Sequence, residues 1–153
     1  MSTELMETRA LKYEFSIDID APREAVWTAL TQETNAWWLP DFHMVGADSV
    51  VTLDARAGGQ LVETNEAGGS LLWYEVQMCT PGESLHLVGH IGADWGGPAT
   101  TMLTIKLEQH GDATTLRVAD ALLGCVSASM PDSLEKGWKQ LFGAGLKAHV
   151  ESR

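Results

Sequence analysis

The sequence predicts an α+β domain in which a strongly curved antiparallel sheet of about six to seven strands wraps one long C-terminal helix. Three observations carry this. Tyr13–Ile19 alternates apolar and polar residues without a break, as a half-buried strand does. Ser133–Val150 repeats Leu134, Trp138, Leu141, Phe142 and Leu146 at helical spacing. Between these segments lie about six strand-like runs punctuated by Gly, Pro and Asn turns. A sheet curved around the helix buries both apolar faces at once and leaves room for a pocket between them.

The first helix is expected to start near Pro22, whose fixed φ suits a first turn, with Asp20 or Ala21 as its N-cap. Val26, Trp27 and Leu30 form its apolar stripe, and it should stop before Thr34-Asn35. A short turn or helix over residues 36–40 follows and ends at Pro40. The strands are then read as 49–54, 60–64, 71–80, 84–91, 101–108 and 114–123. Gly58-Gly59, Gly68-Gly69, Pro81-Gly82 and Gly111-Asp112 mark the tight connections between them. Short links favour antiparallel pairing of sequence neighbours, and the lone first strand should pair with the last strands. Residues 1–10 read as a flexible extension of a single domain spanning 1–153.

Composition narrows the function classes. At 153 residues, with 44% hydrophobic and 20% charged side chains, the chain has the make-up of an ordinary globular domain. Ten Lys and Arg stand against 21 acids, a net charge of −11. That balance argues against nucleic acid or an anionic membrane surface as partner. The start, Met1–Arg9, is mixed and charged with no apolar core, so no secretory signal is read and a cytoplasmic location is expected. Cys79 and Cys125 lie in no CxxC spacing and are expected to be reduced, buried residues.

His86 and His90 invite a metal reading that strand geometry rejects. Four residues apart on a strand they are about 13 Å apart, at roughly 3.3 Å per residue, too far to share one ion. No bound metal and no cofactor are expected. The sequence holds no GxSxG, P-loop or GxGxxG pattern. The candidates for acid–base work are Asp120, Glu75 and Tyr74. Asp120 shares strand parity with Leu116, Val118 and Leu122, which would turn it inward. The preferred alternative is a strand that ends or bulges near Ala119 and leaves Asp120 in water. Glu75 shares a face with Trp73, whereas Tyr74, Val76 and Met78 share the other, expected inward, face.

The opening Asp20–Thr31 segment, DAPREAVWTALT, resembles the START-like, or SRPBCC, superfamily. Trp37-Trp38-Leu39-Pro40, Ala57-Gly58-Gly59 and Gly137-Trp138 make it similar to the branch named for the activator of Hsp90 ATPase, over about residues 13–150. The resemblance implies a helix-grip (START/Bet v 1-like) fold over a hydrophobic cavity. The co-chaperone that names the branch carries an additional chaperone-binding domain, to which nothing here corresponds. The expected function is binding of an apolar, lipid-like or aromatic small molecule. The lining is read as Trp38, Tyr74, Val76, Met78, Leu87, Met102, Trp138, Phe142 and Leu146, with Trp95 in its glycine-rich loop as the gate. The alternatives are a cyclase, dehydratase or hydrolase acting in the same cavity, or a protein-interaction module. A free sheet edge would also allow a homodimer.

Overall fold

In the computed structural model, which describes residues 2–153, seven strands form one antiparallel sheet in the order β1-β7-β6-β5-β4-β3-β2. The strands are β1 (Arg9–Ile19), β2 (Val50–Leu53), β3 (Gln60–Thr64), β4 (Ser70–Thr80), β5 (Ser84–Ile91), β6 (Ala99–His110) and β7 (Ala113–Gly124). Successive strands β2 to β7 pair as hairpins, and β1 pairs with β7 from Arg9↔Gly124 to Ile19↔Thr114. The expected pairing of the first strand with the last is therefore present, and β1 and β2 form the two edges of the sheet. Arg9 and Ala10 belong to β1, so the segment ahead of the sheet is shorter than the ten residues expected.

Helices α1 (Arg23–Gln32) and α2 (Thr34–Trp37) lie between β1 and β2 in the chain. Neither Asp20 nor Ala21 caps α1. Pro22 holds that position, and its carbonyl accepts from Ala25 and Val26. Asp20 instead gives its backbone N–H to Glu151 near the C-terminus. Trp37 drops its indole N–H onto the Ala29 carbonyl at 2.8 Å, which locks α2 across α1.

The C-terminal helix runs without a break as α3 (Met130–Gln140), a π-helical stretch over Leu141–Lys147, and α4 (Ala148–Glu151). The wider π turn brings Leu141, Phe142, Gly145 and Leu146 onto one buried face. Gly145 permits the close approach, because a Cβ there would stand 2.5 Å from the Trp37 carbonyl oxygen. The core is continuous from α1 and α2 through this helix to the inward faces of β3–β7. Among the described residues no helix is long and apolar enough to cross a membrane.

Two irregularities in β4 re-aim its side chains. The β3–β4 register shifts between Leu61 and Val62, and the β4–β5 register shifts between Val76 and Met78. An extra residue in one strand flips the facing of everything beyond it. Tyr74 and Val76 are buried as expected, but past Gln77 the parity inverts. Met78 is then 53% exposed, and Cys79 packs against the core.

Candidate functional site

Between α3 and one end of the sheet lies a cavity of about 230 Å³. Its walls come from Leu71–Tyr74 on β4, the end of β5 at His90 and Ile91, and Thr101 at the start of β6. Asp120 and Leu122 on β7, Leu134, Gly137 and Trp138 on α3, and Trp38, Phe42 and Trp95 from connecting segments complete them. A cavity of roughly 150 Å³ accommodates benzene, and ligand pockets run from roughly 300 Å³ upward. The space fits a molecule about the size of a substituted single ring. A second, much smaller void of about 20 Å³ lies among Leu30, Trp37, Phe142 and the inward side chains of the sheet.

Aromatic rings dominate the wall. Trp38 meets Trp73 edge-on at 5.3 Å, and Tyr74 meets Trp138 at 6.1 Å between centroids. Trp138 in turn stacks on Phe142 at 5.6 Å. Such pairs each contribute about 0.5–1.5 kcal/mol beyond burial and hold one another's rotamers. Trp38 gives its indole N–H to the Phe42 carbonyl at 3.0 Å, which fixes the 38–42 turn at the rim. Gly89 makes room for the Tyr74 ring, since a Cβ there would meet that ring at 2.9 Å. Trp95 lies on a short 3-10 turn, Ala93–Trp95, and is 54% exposed at the mouth.

One end of the cavity is polar. Asp120 is only 3% exposed, and β7 continues through it without the end or bulge near Ala119 that would have left it in water. The Thr101 hydroxyl donates to Asp120 Oδ1 at 2.6 Å, and the Tyr13 hydroxyl donates to Oδ2 at 2.7 Å. Tyr74 Oη stands 3.4 Å from Thr101 Oγ1. With the Thr101 proton committed to Asp120, Tyr74 is the donor of that pair. Burial pushes the Asp120 carboxyl above its ordinary value, against the lowering effect of the Thr101, Tyr13 and Ala121 hydrogen bonds. Burial, with the Asp120 charge, also drives both tyrosines well above the usual phenol range, so both stay neutral donors.

Behind the aromatic wall sits a second buried acid, Glu63, with no exposed surface. Its Oε2 accepts from the Met44 and Val45 backbone and the Ser49 hydroxyl at 2.6–2.9 Å, and its Oε1 accepts from the Trp73 indole at 3.0 Å. Burial alone would raise this carboxyl. The hydrogen bonds from Ser49, Val45, Trp73 and Met44 outweigh it and hold Glu63 below its ordinary value. Glu63 therefore anchors Trp73 and the 43–49 loop to β3.

Of the ten residues read as lining or gate, Trp38, Tyr74, Trp95 and Trp138 meet at the cavity. Val76, Leu87, Phe142 and Leu146 are buried, but in the packed core away from it. Met78 and Met102 point outward. Met78 is turned by the bulge at Gln77, and Met102 is 44% exposed because the odd residues of β6, Thr101 to Leu107, face the core. Glu75 is exposed on the outer face and does not line the cavity. The sequence reading missed Phe42, Trp73, Thr101 and Leu134. Thr101 was findable, since it shares inward parity with Leu103 and Ile105. Trp73 was not, because only the β4 irregularity turns it toward Trp38.

Fold and cavity together define a helix-grip domain with a small, aromatic-walled pocket under its long helix. The family described as Activator of Hsp90 ATPase homolog 1-like protein matches residues 20–151, and the chain belongs to that family. No curated protein matches it. Solved structures share the fold. An uncharacterized protein of Rhizobium leguminosarum is similar at 14% identity and TM-score 0.68, covering 97% of this chain and 100% of that one. Ara h 8.0201 is similar at 11% identity and TM-score 0.68, covering 95% and 100%. CalU16 from Micromonospora echinospora is similar at 19% identity and TM-score 0.63, covering 96% and 84%.

Proposed function

We propose that the protein is a cytoplasmic binding protein for a small, largely apolar molecule held between α3 and the sheet. The observation that carries this reading is the cavity itself, a space of about 230 Å³ walled by aromatic and aliphatic side chains and closed by a polar end. Apolar walls supply affinity, and a few convergent polar groups fix orientation. Tyr74 is the polar group to test first, because its long contact to Thr101 leaves its hydroxyl able to re-aim at a ligand.

Four of the six tryptophans line the cavity, so their fluorescence reports on it directly. Single-ring aromatics, steroids and short lipids form the panel. A saturable change that Trp138→Phe or Gly89→Ala diminishes, with Trp95→Phe affecting it less, supports the reading. No saturable change with any compound overturns it. A ligand present at about 100 times its Kd should also raise stability by about 2.7 kcal/mol, seen as a higher melting temperature.

Catalysis in the same cavity is the second reading, favoured by one observation. Asp120 and Tyr74 share its polar end, so an acid–base group and a hydroxyl would face one substrate. It requires that Asp120→Asn abolish turnover of a bound compound while sparing its binding.

A further inference from the structure

The polar end of the cavity holds a carboxyl group with no Lys or Arg beside it. Asp120 lies on the wall, almost fully buried, and its two side-chain hydrogen bonds come from neutral hydroxyls. No Lys or Arg lines the cavity. The other titratable groups at this end are Tyr13 on β1, with Glu135 of α3 acting on it, Tyr74 on β4 and His90 at the rim. Of the nearest cations on α3, Lys139 lies over the Phe15 ring and pairs with Glu135, and Lys136 is exposed; neither lines the cavity.

Carboxylate, phosphate or sulfate ligands would meet this group in a low-dielectric space with nothing to neutralise them. A cation meets the reverse. Each carboxylate oxygen keeps acceptor capacity beyond the one hydroxyl it accepts, and the walls include Trp38, Trp73, Trp138 and Tyr74, rings of the kind that attract a cation. Rings and charge are joined through Tyr74, which packs on Trp138 at 6.1 Å and reaches Asp120 through Thr101. Asp94 beside Trp95 and Asp132 beside Ser133 flank residues of the lining, and the whole chain carries a net charge of −11, a field that favours approach of cations.

We infer that the ligand is a small organic cation, an apolar body of about one ring bearing an ammonium group that sits among the aromatic rings and faces Asp120. The inference rests on the binding reading above and adds the ligand's charge. It also fixes a role for Asp120 that needs no chemistry. The carboxylate selects the sign of charge, and the rings select for a compact, weakly hydrated ammonium over a small inorganic ion.

Three probes of nearly the same shape test it: benzyltrimethylammonium, its neutral isostere neopentylbenzene, and the anion phenylacetate. Each is titrated into the intact protein while tryptophan fluorescence is followed, with calorimetry for the charged pair. The expected order is cation, then neutral, then anion, with the cation at least about tenfold tighter than its neutral isostere. Asp120→Asn should reduce that preference by about tenfold while the neutral probe still binds. Neutral binding as tight as, or tighter than, the cation's overturns the inference and leaves the cavity reading intact. A cation preference that persists undiminished in Asp120→Asn removes Asp120 from the role and overturns it too. The wild-type comparison decides the matter even if the variant folds poorly. If none of the probes or the wider panel gives a saturable response, the cavity reading itself fails and the inference falls with it.

Discussion

A buried carboxylate with no Lys or Arg beside it must replace its lost water with hydrogen bonds, and Glu63 and Asp120 do so to different degrees. Glu63 accepts four, two of them from backbone N–H groups, and its carboxyl is held below the ordinary 4.5. Its stabilising contribution is therefore complete above about pH 4.5 and is lost as pH falls through the lowered folded-state value. Asp120 works in the opposite sense. Its folded-state value is raised above 3.8, so its ionisation weakens the fold as pH rises through that value. Glu63→Gln would place an amide N–H₂ against a donor, either the Trp73 indole or the backbone of the 44–45 segment. The expected cost is about 1–3 kcal/mol at neutral pH by urea unfolding. The gap should narrow in acid as the wild-type carboxyl protonates; equal stabilities at neutral pH would refute this role. Neither acid's environment was legible beforehand. Parity pointed Asp120 inward, but its partners Tyr13 and Thr101 lie 107 and 19 residues away, and only the pairing of β7 with β1 and β6 brings them together.

Among the elements, the C-terminal helix shows how two glycines of one segment differ. Gly145 faces Trp37, where a Cβ would stand 2.5 Å from a backbone oxygen that cannot give way, whereas a Cβ at Gly143 meets nothing within 4 Å. Gly145→Ala should cost about 1–3 kcal/mol through overpacking, lowering the melting temperature by about 2–4 °C per kcal/mol for a chain of this size. Gly143→Ala should be neutral or slightly stabilising, because alanine removes glycine's backbone entropy penalty. Equal losses from the two would show that the helix is not seated on Trp37. The periodicity of Leu134, Trp138, Leu141, Phe142 and Leu146 was enough to place this helix. It did not show the π stretch, whose spacing differs from the α pattern by less than a short apolar stripe can resolve. The β4 register shifts were equally hidden, and they decide why Met78 leaves the core and Trp73 turns toward Trp38.

Across the whole molecule, pairing of β1 with β7 determines what can be removed. Residues 2–8 make no strand pairing, whereas β1 pairs with β7 from Arg9 onward, and Tyr13 reaches Asp120. Deleting residues 2–8 should leave the thermal unfolding midpoint unchanged. Deletion through Tyr13 should lower it and weaken any ligand response, because the polar end of the cavity loses a donor. An equal effect of both deletions would show that the early strand contributes nothing through its pairing with β7. The sequence by itself determined the α+β class, the antiparallel order of hairpins, the early strand's return to the last, and the position of the long helix. These follow from local periodicity and turn chemistry, which act over a few residues and are written in adjacent letters. Only the tertiary structure decided where the grip stays open, which four tryptophans face that space, and that Asp120 is buried there among hydroxyls. Those outcomes depend on small register shifts and on contacts between residues far apart in the chain, where a one-residue slip reverses the facing of a side chain.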